Sequence, residues 1–73
     1  MNYIDRLIGL RQDNDLKQSE VGKILNKSQQ GYSHLENGNA KFTIDDLIKL
    51  CLYYGVSADY ILGLPEGLKY PKR

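Results

Sequence analysis

Gln29 and Gln30 stand side by side after Ser28, and His34 follows one helical turn later, in the stretch KSQQGYSHLENG, residues 27–38. A glutamine amide carries donors and an acceptor in one plane. Two adjacent glutamines do little for a core and suit a flat polar edge. Ser28 is a good helix N-cap, which puts both on a first helical turn. Lys17 and Gln18 precede the stretch, and Asn39 and Lys41 follow its closing Glu36-Asn37-Gly38. This set can form hydrogen bonds and ion pairs.

The inventory for bond-making chemistry is thin. There is one histidine, His34, and one cysteine, Cys51, far apart in pattern. One cysteine cannot make an internal disulfide, and Cys51 with His34 falls short of the four ligands of a structural zinc site. No Gly-rich phosphate loop is present, and the carboxylates fall mostly at caps and turns. The expectation is a protein that is not an enzyme and has no metal, cofactor or small-molecule substrate. Cys51 reads as core. Cysteine usage fits a reducing compartment. The N-terminus lacks a basic start with a long apolar run, and no apolar segment approaches the roughly 20 residues that span a bilayer. The expected location is cytoplasmic, away from membranes. Net charge is +1, from 10 basic and 9 acidic residues, so total charge alone does not point to nucleic acid.

The elements that must position these residues are helices. A chain of 73 residues makes one domain, and at this size folding buries only about 60% of the unfolded surface. Ile4, Leu7, Ile8 and Arg11 share one face at helical spacing, with Asn2 as N-cap, so a first helix is predicted over 3–12. Asp13-Asn14-Asp15 breaks it. Val21, Ile24 and Leu25 predict a second helix over 18–25, and Tyr32 and Leu35 face inward on a third over 29–36. Asn37-Gly38-Asn39 stops the third, since Asn and Gly tolerate left-handed backbone. Thr43 caps a fourth helix, whose first turn holds Asp45 and Asp46 and whose predicted core face is Ile44, Leu47, Ile48 and Cys51. Gly55 ends it. Ser57 caps a short fifth helix, Ala58 to Leu62. No segment alternates like a strand. The fold class is an all-α five-helix bundle over residues 1–64, followed by a loose tail, 65–73, with Lys69, Lys72 and Arg73. Helices two and three form a helix-turn-helix outline. Gly22, small in mid-helix, marks close approach of the partner helix, and Asn26 suits left-handed backbone in the turn.

These residues carry a resemblance. Leu16, Gln18, Val21, Gly22, Leu25, Ser28, Leu35, Glu36 and Gly38, with Gly55-Val56-Ser57 and Asp59-Tyr60-Ile61-Leu62, resemble the helix-turn-helix family of lambdoid phage repressor and Cro proteins, the XRE-type regulators. The likeness covers residues 4 to 64. It implies a transcriptional regulator, a repressor, which binds a palindromic operator in double-stranded DNA as a homodimer with the third helix in the major groove. Gln29 and Gln30 are then base contacts, since glutamine can bond adenine bidentately, and His34 reaches another base or a phosphate. Gln18, Lys17, Ser28, Asn37, Asn39 and Lys41 contact the DNA backbone. Arg11 and Glu36 form a partly buried ion pair.

The sequence also departs from the family. Lys17 replaces the usual Ser/Thr cap of the second helix, which weakens the cap. Lys27 replaces an apolar turn residue, so the seam between helices two and three is less covered. Gly31 is unusual inside a recognition helix, and Phe42 replaces a basic residue of some relatives. Without the motif, Gln29 and Gln30 would read as solvated, and His34 as a surface histidine. Tyr53 and Tyr60, with Leu64, either cap the small core or line a dimer contact. The alternative function is a protein-interaction module on the same scaffold, an antitoxin or antirepressor subunit.

Overall fold

Asn2 starts the fold as the N-cap of α1 (Tyr3–Asp13), its Oδ1 accepting the Asp5 N–H at 2.9 Å. A computed structural model describes residues 2–65 and 67–69. The tail residues Lys72 and Arg73 lie outside them. At the end of α1, Asp15 takes a left-handed φ of 55°. Then follow α2 (Gln18–Ile24), α3 (Gln29–Glu36), α4 (Ile44–Tyr54) and α5 (Ala58–Leu62). The described residues contain no strand. The five helices stand where the sequence predicts them, with ends shifted by one residue at most.

Caps explain the boundaries. Ser28 Oγ accepts the Gly31 N–H at 3.0 Å, and Ser57 Oγ accepts the Tyr60 N–H at 3.2 Å. Thr43 and Asp46 cap α4 reciprocally, at 3.0 and 3.1 Å. Lys17 has no acceptor to offer α2, but Glu20 supplies the return half of a capping box: its Oε1 accepts the Lys17 N–H at 2.9 Å.

The core is Leu7, Val21, Leu25, Tyr32, Leu35, Leu50 and Ile61, all buried. Phe42 packs edge-to-face on both Tyr3 and Tyr32, with ring centroids 6.1 and 6.2 Å away, so it belongs to the margin of the core.

One predicted face is half right: Leu47 and Cys51 pack against the core, but Ile44 and Ile48 do not. Ile44 and Ile48 are exposed, at 76% and 51%. The buried residues of α4 are Leu50 and Asp46, with Leu47, Cys51 and Tyr54 packed against the core. At 100° per residue the real core face lies about 60° around the helix from the predicted one. The sequence IDDLIKLCLYY is apolar on several faces, so periodicity alone does not select one. The partners decide: Leu50 inserts among the side chains of the other helices, and Asp46 turns inward to cap Thr43.

Candidate nucleic-acid interface

α2 and α3 meet at Gly22. A Cβ there would lie 2.9 Å from Lys27 O and 3.2 Å from Ser28 O, so the turn presses its backbone onto the helix. The Lys27 N–H donates to Gly22 O at 2.7 Å, and Asn26 turns the chain with a φ of 58°. Lys27 is half-buried, and its Nζ lies 4.0 Å from Asp46 Oδ2 on α4. Its charge thus points toward a carboxylate of α4.

α3 divides into two faces. Tyr32, Leu35 and Glu36 are buried. Gln29, Gln30, His34 and Asn37 are exposed. Among the described residues neither glutamine amide has a hydrogen-bond partner, and Ser28 caps the turn that carries them. The loop after α3 folds back on it, the N–H groups of Asn39 and Ala40 donating to His34 O at 2.9 and 3.2 Å. Asn37, Asn39 and Lys41 are exposed along this loop, and Lys17 is exposed at the start of α2.

A buried polar network sets the pose of these helices. Arg11 Nε and Nη2 donate to the two oxygens of Glu36 at 2.7 and 3.1 Å. Arg11 Nη1 donates to Leu16 O at 3.0 Å, and Gln18 Nε2 to Glu36 Oε1 at 3.0 Å. Glu36 thus ties α1, the start of α2 and the end of α3 together. Burial alone would raise its pKa, but the hydrogen bonds from Arg11 and Gln18 outweigh burial and hold it below the usual carboxylate range. The hydrogen bond to Glu36 raises the pKa of Arg11 in turn. The Tyr32 hydroxyl is buried next to Glu36 without meeting hydrogen-bond geometry. Burial, then the neighbouring carboxylate, pushes it far above the usual phenol range.

Gln18, expected on the DNA backbone, therefore spends one amide N–H on Glu36. Its second N–H has no partner among the described residues. Ser28, exposed, uses its oxygen as an acceptor in the cap of α3. Glu20, Lys27 and Leu50 were missed as organisers of this unit. Glu20 had a signal, its place three residues after the N-cap. The Lys27–Asp46 approach had none.

The sequence model of the helix-turn-helix family matches residues 7–61. The chain belongs to that family. It is of the XRE type, a family of DNA-binding transcriptional regulators. It is 33% identical over 64 residues to YobD of Bacillus subtilis (strain 168), an uncharacterized HTH-type transcriptional regulator, covering 88% of this chain and 57% of that protein. The fold superposes on the crystal structure of a transcriptional regulator from Listeria innocua with a TM-score of 0.81 at 23% identity, covering 96% of this chain and 65% of that one. The chain thus spans under two thirds of the length of both relatives. No described helix is long and apolar enough to cross a membrane.

Proposed function

We propose that this helix-turn-helix domain binds a palindromic operator in double-stranded DNA as a homodimer and represses transcription by occupying a promoter. It works by binding rather than catalysis, in the cytoplasm. α3 enters the major groove, where Gln29 and Gln30 read base edges and His34 reaches a base or phosphate beyond them. Lys17, Gln18, Ser28, Asn37, Asn39 and Lys41 hold the DNA backbone. Two half-sites then lie about 34–36 Å apart, one turn of DNA. The observation that carries this reading is the pair of exposed glutamines on a first turn that Ser28 caps, in a helix whose far end Glu36 ties to α1 and α2. With a net charge of +1, phosphate contacts are few and the salt dependence of binding is shallow.

That weak charge also favours a second reading, in which the α3 face meets a protein, as in an antitoxin or antirepressor subunit. Selection from random duplex DNA at about 100 mM salt, beside a Gln29→Ala, Gln30→Ala control, separates the two. Enrichment of an inverted repeat that the double variant fails to select supports operator binding. No enrichment at any salt sinks it in favour of the protein partner.

A further inference from the structure

Ile44, Ile48 and Leu52 are spaced i, i+4, i+8 on α4, which makes them one continuous ridge. They are 76%, 51% and 79% exposed. Three large aliphatic side chains in a row, facing water on a small domain, mark a surface built to be covered. Beside Ile44 lies an apolar cleft of about 210 Å³, lined also by Tyr3, Phe42 and Leu62. The flank of the ridge away from the cleft carries exposed Asp45 and Lys49.

We propose that this ridge docks onto the same ridge of a second copy, with the two α4 helices antiparallel. The ridge is symmetric about Ile48. A two-fold axis there sets Ile48 against Ile48 and Ile44 against Leu52 of the second copy. Leu52, the most exposed of the three, then arrives beside the apolar cleft at the other copy's Ile44. The charges are self-complementary in this arrangement alone. Asp45 lies three residues before Ile48 and Lys49 one residue after it. At 1.5 Å per residue, Asp45 and Lys49 of the second copy come to within ~3 Å of the same height along the axis, twice over. A parallel arrangement would put the two charged flanks on opposite sides of the seam, where Asp45 and Lys49 of one copy meet neither charge of the other. The face of Tyr60, by contrast, is already occupied within the chain by Arg6, whose guanidinium carbon sits 5.2 Å from the ring centroid.

This names the surface for the dimer proposed above and rests on that reading for its role, but its test needs no DNA. Sedimentation equilibrium of the 73-residue chain gives a mass of twice 8.3 kDa. Ile48→Glu and Leu52→Glu each return it to the monomer with unchanged helical circular dichroism; because both side chains are exposed, at least one variant stays folded. Asp45→Lys and Lys49→Asp each weaken the dimer roughly fivefold or more, and the double reversal restores it. A wild-type chain that stays monomeric at its highest soluble concentration overturns the proposal. So does an Ile48→Glu chain that still dimerises, or loss of the dimer on Tyr60→Glu alone. A double reversal that fails to restore association overturns the antiparallel pairing. Binding of each variant to a single half-site is measured separately: a dimer with no sequence preference refutes the operator reading and leaves this interface standing.

Discussion

Arg11 and Glu36, 25 residues apart, meet in a bidentate ion pair with contacts of 2.7 and 3.1 Å. Their side chains are only 14% and 4% exposed. Removing one partner leaves the other charge buried without compensation, which costs about 3–5 kcal/mol. Arg11→Leu and Glu36→Leu are each expected to lower stability to unfolding by urea by that order. The double variant should lose less than the sum, since neither charge then remains buried. Strict additivity in the double-mutant cycle would show that the pair is not coupled.

The same carboxylate sets the acid limb of stability. Glu36 is held below its ordinary value of 4.5 in the folded chain. The unfolded state therefore takes up its proton first as pH falls, and folding is penalised. The stabilisation is complete above about pH 4.5 and is lost as pH drops through the lower folded value. Urea midpoints followed down to acid pH should fall in that window for the wild type. Glu36→Gln should start lower and fall less.

Tyr54 works on the other limb. Burial, then neighbouring Tyr53, pushes its phenol from 10.0 up to about 12. A raised folded value means stability is complete below pH 10 and is lost as pH rises toward 12. Its buried hydroxyl has no hydrogen-bond partner among the described residues. Tyr54→Phe removes that unsatisfied group and should leave stability at pH 7 unchanged or raise it by up to ~1 kcal/mol. It should also flatten the alkaline loss. A variant less stable at pH 7 would mean that the hydroxyl is bonded, for instance to a buried water.

What could be read from the chain follows the range of the interactions. Asn2, Ser28, Thr43 and Ser57 act on amides within three residues, so the helix starts were legible. Asn26 and Gly22 were legible because one turn constrains both. The face of α4 was not, because Ile44, Ile48 and Leu50 are equally apolar and partners in other helices choose between them. The donation of Gln18 to Glu36 spans 18 residues, and nothing local announces it.

Two glycines in helices should respond with opposite signs. Gly22→Ala places a methyl 2.9 Å from a backbone oxygen, which only a shift of the turn can relieve. Such overpacking costs ~1–3 kcal/mol, more than the roughly 0.5–1 kcal/mol that alanine gains in helix propensity. Net destabilisation is expected, together with weaker DNA binding as α3 tilts. In mid-α1, a Cβ on Gly9 meets nothing within 4 Å. Gly9→Ala should therefore gain about 0.5–1 kcal/mol. Thermal or urea unfolding of both variants decides, and a stabilised Gly22→Ala would show that the turn yields freely.

The two classes of DNA contact proposed here leave different signatures. Gln29→Ala or Gln30→Ala should cost ~1–3 kcal/mol on the selected operator and relax preference at one base position. Affinity for random duplex should hardly change, because the glutamines carry no charge. Lys41→Ala should weaken operator and random duplex alike and reduce the slope of log affinity against log salt by about 1. Fluorescence anisotropy titrations on both duplexes over a series of salt concentrations read all of these quantities. Equal losses on operator and random DNA for the glutamine variants would remove them from the reading face, and an unchanged salt slope for Lys41→Ala would remove that lysine from the phosphates.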